Sequence, residues 1–583
     1  MHIRSCRPPP WGADLEGGKW LLAVALTLLA LLAAYSLLFA RAGDRVFWVP
    51  YIYGPLSYDP LLGALGSATL VLSLALAALA AYRRDVPGNA AAALTLLSAS
   101  IIVAVKFLVP DLADRYYITD FEDSFNHMYR AMYIAEFGHL TPYFDFMWLN
   151  RSFWLTLAEA ILVLWGHPTW FKDLPFYFTI KWGPELLSIM MMPPAYLLAR
   201  SAGLSRRASG LAVVLSTALW PEMPYVVSND YGTITFTVAL SFFILALRER
   251  DRRLLAPLLL AVLAAAYTHE LVAALMAVAL IGGAAMYVLF PEGVGTRRAA
   301  LSALAASLSA YLIMALYNSY GFVQQGINYY WHVTLSTLRS LLYHTPSIIS
   351  QTTYRVMPAY HAAVEVKAAA YILELVLPFA VSLALAIRRP SYRILIGALG
   401  LAGLVGAALT LGLSAVGWAD RVPIMMLGVI GVIVAGLAEV RRHRRAAVAV
   451  LLASAAALAP LALYASFAGY PAVAFPEVGW DLGTWWVVTE SGGYQPGVAG
   501  ELAPGSTVAY WLPPVPAGQW CNATVSGTWF EVGYMGYYYL PYFIYSAYAS
   551  CPDYQHVYFN VVMVKYNNSV VIDTPVGYLA VLR

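Results

Sequence analysis

Apolar runs close to the length of a bilayer crossing recur along most of this chain. Trp20–Ala40, Leu254–Ala266 and Leu271–Phe290 are three of them. About 20 consecutive apolar residues cover the hydrocarbon core of a membrane as helix. Helix is the form in which an isolated segment satisfies its own backbone hydrogen bonds there. Candidate spans fall at about 20–40, 61–82, 89–109, 182–199, 208–226, 231–247, 254–268, 271–290, 299–317, 368–387, 394–415, 422–440 and 446–466. The expected architecture is therefore an α-helical polytopic membrane protein of about 13 transmembrane helices. Composition agrees: 61% of the 583 residues are hydrophobic, 11% are charged, and mean hydropathy is +0.66. Soluble domains are about 25% charged, so an ordinary soluble enzyme, a disordered chain and a coiled coil are excluded. The net charge of +3 forms no basic stripe, and no nucleic-acid partner is expected. The first apolar run is a full-length span with no small-residue cleavage site after it, so no cleaved signal peptide is expected.

Basic residues orient the spans. Arg83-Arg84, Arg206-Arg207, the arginines of 248–253, Arg297-Arg298 and the arginines of 441–445 fall in alternate connections. Arg41, Arg45 and Arg421 are the basic residues of the short connections between them. Positive residues collect on the cytoplasmic side. This predicts a multi-pass protein of the cell membrane with its N-terminus cytoplasmic and its C-terminal part extracytoplasmic. The apolar segment Phe153–Gly166 is too short for a span and is read as a helix lying on the outer surface. Two domains result. Residues 1–467 form the membrane domain, with outer loops at 110–181 and 318–367. Residues 468–583, rich in Tyr, Trp, Gly and Pro with short alternating runs, form a small β-rich outer domain. The sequons at Asn150, Asn522 and Asn567 all fall outside in this scheme. Cys521 and Cys551 are the candidates for a disulfide if that domain meets an oxidising exterior; two buried thiols are the alternative.

The first outer loop is acidic. It holds nine of the chain's 32 carboxylates, among them Asp120, Glu122, Asp123 and Asp145. Most such residues simply solvate a loop. The run Thr119-Asp-Phe-Glu122-Asp123-Ser-Phe-Asn-His127-Met-Tyr-Arg130 is more particular. On a helix Asp123 and His127 share a face, and Arg130 follows one turn on. A carboxylate, an imidazole and a guanidinium so aligned suit a general base beside phosphate ligands. His269 and Glu270 interrupt an apolar run, where ionisable residues raise a functional hypothesis and a helix cap is the alternative. Tyr330 and Trp331 could stack on a sugar face or belong to an interfacial aromatic belt.

The string from Asp123 through Arg130 to Gly138 resembles the first outer loop of the GT-C superfamily of membrane glycosyltransferases. There an Asp follows an early span, often with a His four residues later, then an amphipathic stretch, here Arg130-Ala-Met-Tyr-Ile-Ala-Glu136-Phe-Gly138, and an apolar juxtamembrane helix. Thr268-His269-Glu270 and Asp420-Arg421 also match features of that family, and an outer C-terminal domain resembles its oligosaccharyltransferase branch. Trp480-Asp481-Leu482-Gly483 supplies only part of that branch's W-W-D-x-G motif, and Asp145 keeps one carboxylate of its D-x-D. The resemblance therefore points to a lipid-linked monosaccharide transferase related to the protein mannosyltransferase type.

It implies a polyprenyl-phosphate (dolichyl-phosphate) sugar donor embedded in membrane lipid. The acceptor is a protein, lipid or glycan at the outer face. Asp123, with Glu122 and His127, is implied as the catalytic set. Arg421, Arg130 and Arg355 are implied for the donor phosphate, and His269, Glu270, Tyr330 and Trp331 for the substrate. No cofactor is required by the residues themselves; a divalent ion, Mg or Mn, would use Asp123 and Asp145. The competing readings are a polytopic transporter or channel, for which Lys106, Glu185 and Glu374 are the intramembrane charges, and a non-catalytic membrane scaffold displaying the β domain.

Overall fold

The structure, a computed structural model, describes residues 12–42, 60–83, 86–109, 151–166, 174–218, 228–290, 296–317, 390–413 and 425–436. It also describes single helical residues between them, such as His127 and Leu463, and the backbone of strands between Thr507 and Leu579. The first group is almost entirely helical. Its helices are α1 Gly12–Ala42, α2 Pro60–Tyr82, α3 Gly88–Val103, α4 Arg151–Trp165, α5 Leu174–Ser201 and α6 Arg206–Ala218. They continue as α7 Ser228–Glu249, α8 Leu255–Ala266, α9 Glu270–Leu289, α10 Thr296–Tyr317, α11 Pro390–Leu413 and α12 Leu427–Gly436.

Each expected span from 20–40 through 299–317, and those at 394–415 and 422–440, overlaps one of these helices, with ends that differ by up to several residues. Apart from single residues, 368–387 and 446–466 lie outside the described residues. Among the described residues four helices are long and apolar enough to cross a membrane: Leu22–Arg41, Pro60–Tyr82, Ala90–Leu108 and Asp230–Glu249. Helix α8 differs from expectation. Its 12 residues rise about 18 Å at 1.5 Å each, well short of the ~30 Å hydrocarbon core.

Leucines on α1 explain why length and apolarity found these helices. Leu28, Tyr35 and Phe39 are buried against the bundle, whereas Leu22, Leu26, Leu29 and Leu37 are exposed. Both faces are apolar. That pattern suits a lipid-facing helix and would leave a large apolar patch in water. The hydroxyls along the helices follow the same logic. Thr69, Ser73, Thr95, Ser98, Ser216, Thr237 and Ser241 each donate to the carbonyl four residues back. An apolar surrounding offers these groups no water, so they bond to their own helix.

Helix α6 is the hub. It is only 13 residues long, yet every residue from Ala208 to Thr217 is buried, packed among α2, α3, α5 and α12. Small residues permit the approach: Cβ atoms added at Gly210 and Gly431 would meet Thr95 and Ser216. Another close crossing is α9 on α11. There Gly282 and Gly397 stack backbone on backbone, so that a Cβ added at either would collide with the other's carbonyl oxygen.

Arginines gather several helix termini at one end of the bundle. Arg207, at the start of α6, donates to the Arg83 and Val86 carbonyls that follow α2. Arg248, at the end of α7, donates at 3.1 Å to each of the Arg200 and Ser201 carbonyls ending α5. Arg393, at the start of α11, lies 3.4 Å from the Phe290 carbonyl beyond α9, and the Ser205 amide donates to Glu439. Carbonyls at a helix C-terminus lack the amide of a following turn, and a forked guanidinium can satisfy two at once. The basic clusters that signal sidedness in the sequence are thus also structural ties. Replacing Arg207 by Ala should cost about 1–3 kcal/mol, the worth of hydrogen bonds from a charged group. Faster proteolysis of the 83–87 connection in detergent would report it.

Candidate functional site

At the other end, helix α4 organises the polar residues. Its residues Phe153, Trp154, Leu157, Ala158 and Ile161 are buried, and Leu155, Val163 and Leu164 are exposed. This is the segment expected to lie on the surface, and it docks by its N-terminal half. The Ser152 hydroxyl donates at 2.9 Å to the Ala264 carbonyl and shares a 2.9 Å hydrogen bond with Thr268 Oγ1. The Ser152 amide donates to the Tyr267 carbonyl at 3.2 Å. One turn on, Thr156 Oγ1 lies 3.0 Å from the Tyr231 hydroxyl, and the Phe153 and Tyr231 rings are 5.4 Å apart.

His127 closes the cluster. It is helical and 6% exposed. Trp154 Nε1 donates to its Nδ1 at 2.9 Å. The Phe153 ring meets the imidazole edge-on, with centroids 5.2 Å apart. Ala131, Ile134 and Ala135 are helical and buried as well. With His127 they mark one stripe at i, i+4, i+7 and i+8, the buried face of a helix. Gly138 ends it: its amide donates to the Ile134 carbonyl at 2.8 Å with φ at 72°, a left-handed turn that Gly makes at least cost. Residues 127, 131, 134 and 135 of the amphipathic string are thus helical, and Gly138 makes the turn after them.

Helix α4 therefore joins three elements: the helix of His127, the start of α7 at Tyr231, and the break between α8 and α9 at Thr268. The last two each bring a buried ionisable neighbour. Asp230 precedes Tyr231 and is 3% exposed; His269 follows Thr268 and is 7% exposed. Asp230 sits in the first turn of α7, where a carboxylate is favoured by the helix dipole. Thr268 Oγ1 also lies 3.3 Å from Thr235 Oγ1 on α7, so hydroxyls run continuously from α4 to α8 and α7.

Of the expected site residues, His127 and His269 belong to this cluster. Glu270 begins α9 by its backbone. Asp123, Glu122, Arg130, Asp145, Tyr330, Trp331, Arg355 and Arg421 lie outside the described residues. Among the described residues no group of three His, Cys, Asp or Glu side chains could hold a metal ion, and the two carboxylates expected to do so, Asp123 and Asp145, are outside them. Sequence reasoning missed Trp154, Tyr231 and Asp230. Asp230 carried a signal, a carboxylate at the edge of an apolar run directly after Ser228-Asn229. Trp154 carried none, because its partner is 27 residues away and the contact is tertiary.

Two further charges are buried inside helices. Lys106 is fully buried in a π-helical turn, Ala104–Leu108, that continues α3, and its ammonium lies 5.5 Å from the Phe107 ring centroid. Glu185 on α5 is 6% exposed. No protein-family model matches the sequence, and no curated protein matches it.

Proposed function

We propose that the protein is a membrane glycosyltransferase that moves a sugar from a polyprenyl-phosphate donor to an acceptor at the outer face. The observation that carries this reading is the docking of α4. It draws His127, Asp230-Tyr231 and Thr268-His269 to one end of the bundle, directly after the acidic run that ends at His127. Concentrated ionisable groups at a membrane-facing end suit chemistry on a lipid-anchored head group.

In this reading the donor's lipid lies between helices and its phosphate at the bundle end. Asp123 accepts the proton of the acceptor hydroxyl as that oxygen attacks the anomeric carbon. Charge separates through an oxocarbenium-like state. The departing polyprenyl phosphate is stabilised by Arg421, with Arg130 and Arg355, where negative charge develops. The arginine-tied end of the bundle faces the cytoplasm and the α4 end the exterior, within a scheme of about 13 spans. Residues 468–583 form a β-rich outer domain. Within it the backbone of Tyr542–Cys551 pairs antiparallel with Tyr554–Tyr566. The pairing of Asn522 with Ser550 favours a disulfide between their neighbours Cys521 and Cys551.

Lys106 and Glu185 favour the second reading, a transporter, since charges within spans mark solute pathways. Donor binding separates the two. With a photoactivatable polyprenyl-phosphate monosaccharide in proteoliposomes, Arg421→Ala should weaken binding about 10–100-fold. That is the equivalent of losing hydrogen bonds between a cation and a phosphate. Unchanged binding on substituting Arg421, Arg130 and Arg355 in turn would remove the phosphate site. Solute flux through sealed vesicles that Lys106→Met abolishes would favour the transporter instead.

A further inference from the structure

We infer that Trp154 is a positioning residue that holds His127 as the neutral Nε2–H tautomer, making this imidazole a fixed hydrogen-bond donor and not a base. The argument begins with the indole. Trp Nε1–H can only donate, and it lies 2.9 Å from His127 Nδ1. A proton on Nδ1 would set two N–H groups head to head at that distance. Nδ1 must therefore present its lone pair, which leaves the single ring proton of a neutral imidazole on Nε2. Protonating Nδ1 to form imidazolium would break the same bond.

The surroundings fix the ring as well as its proton. His127 and Trp154 are 6% and 1% exposed. Phe153, the residue before Trp154, packs edge-on against the imidazole at an interplanar angle of 80°. Both contacts come from consecutive residues of α4, and α4 is itself tied to α8 through Ser152. The imidazole cannot turn over without losing the indole's acceptor. A hydrogen bond made at one ring nitrogen determines what the other presents. Here the presented group is an N–H, suited to an anionic oxygen such as a carboxylate or a phosphoryl oxygen.

A catalytic meaning rests on the glycosyltransferase reading. There the Nε2–H steadies an anionic oxygen, and proton removal falls to a carboxylate. The tautomer itself does not depend on that reading, and the two fail separately.

The test uses the full chain in lipid nanodiscs, with ¹⁵N in the histidine and tryptophan rings. The expected result is a through-hydrogen-bond correlation from an indole Nε1–H to an unprotonated histidine Nδ1, lost in His127→Gln. An Nδ1–H or imidazolium signature at His127 would overturn the inference, as would the absence of the correlation in the wild-type chain. In Trp154→Phe the His127 nitrogens should redistribute between tautomers; an unchanged signature there would also overturn it. Under the glycosyltransferase reading, Trp154→Phe should lower kcat on the order of 10-fold with KM for the donor unchanged, as loss of an orienting partner does. His127→Gln places an amide N–H near the Nε2 position and should retain more activity than His127→Ala; equal loss in both would contradict the donor role. If the wild-type chain consumes no donor while the correlation is present, the functional reading fails and the tautomer stands.

Discussion

Asp123→Asn should abolish most sugar transfer while leaving the protein folded and inserted. The substitution keeps the shape of the side chain and removes its basicity. A positioned general base contributes about 10²–10⁴-fold to rate, and a loss of that size is expected in kcat. Donor binding should survive, because the phosphate is assigned to Arg421, Arg130 and Arg355. Asp111→Asn and Glu136→Gln are the comparisons. Both belong to the same acidic loop in sequence, and if loop carboxylates serve only to solvate it, all three variants should show the same mild effect. Rates from radiolabelled donor, measured on protein of equal monodispersity, decide between these outcomes.

The largest structural effect is expected where α9 crosses α11. Gly397→Leu must place a side chain where the Gly282 carbonyl already lies, and Gly282→Leu meets the reciprocal obstacle. Neither obstacle is a flexible side-chain tip that could swing away, so the helices have to separate. Overpacking commonly costs about 1–3 kcal/mol, and this case should exceed the upper figure. Gly403, six residues further along α11, is the internal control, since a Cβ there meets nothing within 4 Å. Gly403→Ala should be neutral or stabilising by up to ~1 kcal/mol through helix propensity. Unfolding in a graded denaturing detergent would rank the variants. Equal stability of Gly397→Leu and Gly403→Leu would contradict the crossing.

What could be read from the sequence follows from which properties are local. Apolar length is local, so the helices lie where the runs of Leu, Ala and Val lie. That Phe153–Gly166 forms a separate short helix was legible for the same reason, since its apolar run is shorter than a crossing needs; that it docks against α7 and α8 was not, because those contacts are tertiary. The π-helical turn at Lys106 was not legible, because nothing in Ala104–Leu108 differs in composition from an ordinary helical turn. The short length of α8 was obscured because Tyr267 and Thr268 follow it and the next apolar run opens at Leu271, so that only His269 and Glu270 mark the break. The arginines were read for sidedness alone. Their second role, donating to the carbonyls at the ends of neighbouring helices, depends on which helices are neighbours. The site divides in the same way. His127 stood out beside Asp123 because a spacing of four residues is visible in sequence. Trp154, which determines what His127 can do, comes from another element, and spacing carries no trace of it.

The glycosyltransferase reading stands or falls on whether a lipid-phosphate sugar is consumed. The measurement is turnover of a panel of radiolabelled polyprenyl-phosphate monosaccharides by the purified chain in proteoliposomes, with Asp123→Asn in parallel. The account predicts release of free polyprenyl phosphate from at least one donor, matched by label in an acceptor, and a fall on the order of 10²–10⁴-fold in the variant. Equal, background-level consumption of every donor by both proteins would contradict it.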